Sequence, residues 1–125
     1  MKEFDCLLAK VSEIESFIEL SANDCNVKVE SESSIYSMEH ISDAEIVALL
    51  NLELILPSGG CVLATIEVIY DYFGFVGIHM KPTDQHQRFG AKSRRAKGSL
   101  NRVIKSFINQ LIAIEGVYRN SLMSI

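Results

Sequence analysis

Cysteine is scarce: the 125 residues hold three, Cys6, Cys25 and Cys61, and no two stand in a CxxC spacing. An odd, unpatterned set excludes a disulfide framework of the secreted kind and leaves free, mostly buried thiols in a reducing compartment as the expectation. The histidines, His40, His79 and His86, show neither HxH nor HExxH spacing, and no cysteine lies within a few residues of them. No metal or other cofactor is expected, and these residues read as surface or loop histidines. Proline is also scarce, two residues against 48% hydrophobic ones, which argues against wholesale disorder and for one domain over residues 1–125 with a core of its own. No uncharged apolar run approaches the roughly 20 residues of a membrane span. The acids after Met1 stand where a secretory signal has a basic region, so a cytoplasmic protein without membrane contact is expected.

Acid is absent between Asp84 and Glu115, and this is the most informative gap. Residues 1–84 carry fifteen Asp/Glu against four Lys, and residues 85–125 carry eight Lys/Arg against one Glu, a net −11 followed by +7. Arg88, Lys92, Arg94, Arg95, Lys97, Arg102 and Lys105 all fall inside the acid-free stretch. Such a division suits an anion or acidic partner, or an internal or intersubunit match with the acidic part.

What is present is strong alternation. Ile46, Ala48, Leu50, Leu52, Leu54 and Leu56 fall on one face of a strand over 44–56, and Val62, Ala64, Ile66, Val68, Tyr70 and Tyr72 on one face of a strand over 61–73. Pro57-Ser58-Gly59-Gly60 supplies the turn between them. The opposite face is unusually apolar for a side that meets only water, with Val47, Leu49, Ile55, Leu63, Ile69 and Phe73 on it. Part of it is therefore expected either to be packed into a small core or to meet a second element, another subunit or a ligand. Leu100, Val103, Ile104, Phe107, Ile108, Leu111 and Ile112 make a helical stripe over 99–115, with Ser99 as N-cap and Gly116 as stop. Residues 26–33 form a polar edge strand. The segment before them is ambiguous: Leu7, Leu8, Val11, Ile14 and Ile18 suit a helix, whereas Ile14, Ile18 and Leu20 alternate with polar residues as in a strand. Residues 81–98 show little periodicity and read as a basic, mobile loop, with Gly90 and Gly98 bracketing the basic run. The fold class is α+β, an antiparallel sheet of about four strands with a long C-terminal helix packed on one face.

No grouping of residues carries recognisable catalysis, and no enzyme activity is expected. Glu67 and Asp71 share a strand face, but their spacing is too common to imply acid–base work. Cys61 opens a strand and serves as a small hydrophobe, and Ser58-Gly59-Gly60 precedes a strand, so the helix dipole of a phosphate loop is missing. The cations at 88–105, with Phe89 as a stacking platform, would suit a nucleic-acid backbone, although the chain as a whole is acidic.

Taken as a strand, Val11–Leu20 resembles the first strand of the SecB-like chaperone superfamily. Val27-Lys28-Val29-Glu30 resembles the start of the second, Ile66–Phe75 the strand ending in an aromatic bend, and Val103–Leu111 with Gly116 the helix and its stop. The proline–tyrosine helix opening and the proline-rich tail of that family are missing. The resemblance implies a non-catalytic holding chaperone that captures unfolded or partner polypeptides and assembles as a dimer or tetramer. The polypeptide-binding residues would then be Val47, Leu49, Leu63, Ile69 and Phe73, with Tyr70 and Tyr72 near the strand end. The alternatives are a nucleic-acid or nucleoprotein-binding module using the 88–105 segment, and a small inhibitor or immunity-type protein. A small-ligand pocket between sheet and helix stays open.

Overall fold

A long amphipathic helix, α1 (Lys2–Asp24), begins the chain, as seen in a computed structural model that describes residues 2–39, 44–71 and 73–123. Its buried stripe is Leu7, Val11, Ile14, Ile18 and Ala22, a 3.6-residue repeat sustained along the whole element. The strand reading of residues 11–20 is thereby overturned. A strand would have turned Leu20 to the same side as Ile14 and Ile18, but Leu20 is 58% exposed while both isoleucines are buried. The helix ends on Asn26, whose φ of 57° lets the Val27 N–H return to the Ala22 carbonyl, a left-handed stop sealed by contact between apolar residues.

Five strands follow as an antiparallel meander in the order β1-β2-β3-β4-β5, one more than expected. They are β1 (Lys28–Glu39), β2 (Ala44–Ile55), β3 (Cys61–Asp71), β4 (Gly74–Pro82) and β5 (Arg94–Ala96). The β2–β3 hairpin turns at Pro57–Gly60 as the sequence indicates, with Leu56 N–H donating to the Gly60 carbonyl. Strand β4 was hidden by Gly74 and Gly77. The second of these has φ 150°, and a Cβ there would stand 2.8 Å from the Ala96 carbonyl oxygen, so the missing side chain is what lets β5 approach. The stretch 81–98 that reads as a loop contains the end of β4, a short helix α2 (Asp84–Arg88) and β5.

The C-terminal helix α3 (Leu100–Met123) runs through Gly116, which does not stop it. A helical glycine costs about 1 kcal/mol relative to alanine. Here the following turn is anchored by Tyr118 against Phe89 and by Arg119 on Glu115, so the helix continues. Ser99 stands at the N-cap position, but with φ 52°, and its carbonyl accepts from Val103 N–H.

Both long helices pack on one face of the sheet. Ala48, Leu50, Leu52 and Leu54 of β2, Val62, Ala64, Ile66, Val68 and Tyr70 of β3, and Ile78 and Met80 of β4 form one buried cluster with the stripes of α1 and α3. The opposite, outer face is covered by no helix or strand among the described residues. The described helices include none long and apolar enough to cross a membrane.

Candidate docking face

Pairing register places the outer face residue by residue. One rung runs Val47, Ile69, Gly77; the next runs Ser34, Leu49, Glu67, His79, Arg95; a third runs Glu32, Asn51, Thr65, Lys81; a fourth runs Glu30, Glu53, Leu63. The alternation that sends Leu50 and Ile66 inward sends Leu49, Leu63 and Ile69 outward. Leu63 is 51% exposed, Phe73 at the β3–β4 turn is 93% exposed, and Val76 beside it is also exposed. Val47 is buried yet lies outside the helix-covered core. A shallow depression of about 310 Å³ lies between Ile69, Val76 and Gly77 on one side and Arg95 and Lys97 on the other.

Four of the seven expected polypeptide-binding residues, Val47, Leu49, Leu63 and Ile69, therefore share one surface, with Phe73 at its rim. Tyr70 belongs to the other face: it is buried under α1, its ring 5.4 Å from that of Phe75, whose ring lies under the Lys10 ammonium at 4.9 Å. Burial pushes the Tyr70 phenol above its ordinary value. Tyr72 lies outside the described residues.

Charge at the centre of the outer face is locally matched. Glu67 Oε1 is 2.7 Å from Lys81 Nζ and 3.4 Å from His79 Nδ1. The His79 imidazole is held below the ordinary histidine value by desolvation first and then by Arg95 and Lys81, with Glu67 opposing. Cys61 is exposed, as is Cys6, against the expectation of mostly buried thiols. The Cys61 thiol donates to Glu53 Oε1 at 3.2 Å, and this contact raises its pKa, which disfavours a nucleophilic thiolate.

The cationic run is dispersed. Arg94 and Arg95 are adjacent on β5 and so point to opposite faces of the sheet, Arg95 outward beside His79. Lys97 and Arg102 line a second depression with Lys10 and Glu13 at the start of α3. Lys105 reaches Asp24 at 3.3 Å, Arg88 ends α2, and the Lys92 backbone is bound at both N–H and C=O by the Gln110 side chain. Phe89 is not a free stacking platform, since it meets Tyr118 edge-on at 5.3 Å.

A buried polar cluster escaped the sequence reading. His86 is 6% exposed, not a surface histidine, and its Nε2 lies 2.8 Å from Glu115 Oε2 while Nδ1 lies 2.7 Å from Thr83 Oγ1. Thr83 is also the N-cap of α2, accepting from His86 N–H, and Arg119 Nε donates to the other Glu115 oxygen at 3.1 Å. Two signals pointed to it: the Thr83-x-x-His86 spacing of a helix start, and Glu115 falling one turn after Leu111 on an otherwise apolar stripe. The cluster ties α2 to α3. His86 and Glu115 are buried and the groups are mutually bonded, which suits a structural clamp.

No family model matches the chain, and no curated protein or solved structure matches it either.

Proposed function

We propose that this protein binds other polypeptides through the outer face of its sheet, as a non-catalytic holding protein of the kind the SecB-like resemblance implies. The supporting observation is the one-sided packing. Both long helices lie on the inner face, while Leu49, Leu63 and Ile69 stand on a face that no described element covers, with Phe73 at its edge. Extended segments of a client would lie along these strands and gain about 25 cal/mol for each Å² of apolar surface removed from water, without reading a sequence. The mixed charges between the apolar residues would tolerate clients of either sign.

The nucleic-acid alternative draws less from the geometry, because Arg94 and Arg95 face apart and Lys105 turns to Asp24, which leaves no single track for a phosphate backbone. The test is light scattering from an unfolded, aggregating model protein at low and moderate salt. Suppression that persists at moderate salt is expected, and Leu49→Ser with Ile69→Ser should weaken it while leaving the circular dichroism spectrum intact. Equal suppression by that double variant would remove this face from the function.

A further inference from the structure

The outer face is charged in order across its width. Glu30 and Glu32 project from edge strand β1 and Glu53 from β2, whereas Lys81 stands on β4 and Arg95 on β5, with Lys97 next in the chain. Lys28 is the exception on the acidic side and lies at its end, opposite Ile55. Between the two margins run Leu49, Leu63 and Ile69. The division of charge in the sequence thus becomes two opposite edges of one surface, with Val47, Leu49, Ile69 and Leu63 interleaved with polar residues between them.

We propose that this face is covered, when no client is bound, by a second copy of the chain, packed sheet to sheet about a two-fold axis that runs along the strands. This takes the same face as the proposed function and concerns what regulates access to it. A two-fold interface is self-complementary, each patch meeting its counterpart twice. An axis along the strands keeps every rung at its own height and sets β1 and β2 of one copy over β5 and β4 of the other, which brings Glu32 within about one rung of Arg95 and Glu53 within about one rung of Lys81. An axis across the strands would set β1 on β1, and like charges so placed are repelled. At the centre β3 faces its own counterpart, Ile69 and Leu63 meet apolar side chains, and Glu67 arrives already compensated by Lys81. Five strands, the central ones 11 to 12 residues long, present a face of roughly 700 Å² at the usual strand spacing and rise. Stable interfaces bury about 800 Å² per partner, apolar at the middle and polar at the rim, so the face has the needed size and layout.

Charge reversal tests the arrangement on the full chain. One variant carries Glu32→Lys and Glu53→Lys, the other Lys81→Glu and Arg95→Glu, with circular dichroism as the check on folding. In sedimentation velocity the wild type is expected as a dimer. Each reversed variant alone should dissociate with a Kd raised at least about tenfold. An equimolar mixture of the two should dimerise again, because every edge then meets its opposite. A wild type that is monomeric at all concentrations, reversed variants that dimerise as the wild type does, or a mixture that stays monomeric would each overturn the inference. Aggregation suppression measured on the same samples separates the two ideas. A monomeric wild type that still suppresses aggregation overturns the self-covered face and leaves the holding function standing; a dimer with the predicted rescue that suppresses nothing does the reverse.

Discussion

At the scale of single residues, two buried polar side chains, His86 and Glu115, are bound from more than one side. Glu115 accepts from Arg119 and meets His86, and His86 is held on its other nitrogen by Thr83. A consistent proton assignment has Thr83 O–H donating to Nδ1 and Nε2–H donating to the carboxylate. Replacing His86 with Ala would leave the buried carboxylate short of a partner and open a hole beside Tyr118. We expect a loss of about 2–4 kcal/mol by urea denaturation, against about 1–2 kcal/mol for Thr83→Ala, which removes a cap and one hydrogen bond. His79 supplies a pH signature. Its pKa in the folded protein lies below the ordinary 6.5, so the unfolded chain binds the proton first as pH falls. Its contribution to stability is therefore complete above 6.5 and is lost as pH drops from there through the lower folded value. Denaturation midpoints should fall on acidification through this window, and His79→Gln should flatten that part of the profile; an unchanged slope would assign it to other groups. The Thr83-x-x-His86 spacing and the position of Glu115 are signals in the sequence, but the pairing itself was not legible, because 29 residues separate His86 from Glu115.

At the scale of elements, legibility followed the strength of the repeat. Strands β2 and β3 alternate without a break, and their faces are those the sequence indicates. Helix α1 was ambiguous over residues 11–20 because Ile14 and Ile18 satisfy both periods, and only Leu7 and Val11 upstream and Ala22 downstream decide for the helix. The last turns of α3 were missed because Gly116 reads as a stop, and β4 because Gly77 interrupts its apolar alternation. The two glycines concerned behave oppositely under substitution. At Gly116 a Cβ meets nothing within 4 Å, so Gly116→Ala should stabilise the protein by about 0.5–1 kcal/mol, seen as a higher Tm. At Gly77 the Cβ would press on the Ala96 carbonyl oxygen from a positive φ. Gly77→Ala should cost about 1–3 kcal/mol and release β5, with faster amide exchange at the β4–β5 rungs around Ile78 and Met80 as the local readout. Equal effects at the two sites would mean that the β4–β5 approach is not what requires a glycine.

At the scale of the whole molecule, the two-layer arrangement uses one face of the sheet for the helix-covered core and leaves the other uncovered by any described element. The α+β class, the C-terminal helix and the identity of the apolar outer residues were legible because they depend on local alternation alone. That α1 joins α3 on the same face was not, since nothing in the pattern of one helix says which side of a sheet it will take. This division predicts that stability and binding separate by face. Leu63 and Phe73 are 51% and 93% exposed, so in the isolated chain Leu63→Ser and Phe73→Ser remove little buried area and should shift stability by no more than about 0.5 kcal/mol. Ile66, three residues along β3 from Leu63 and on the inner face, is fully buried, and Ile66→Ala should cost about 2–5 kcal/mol. Aggregation suppression should order them the other way per folded molecule, falling with the Leu63 and Phe73 changes and holding for Ile66→Ala at temperatures where it stays folded. If the exposed substitutions left suppression intact while the buried one abolished it in still-folded protein, the contact surface would have to be sought on the helices instead.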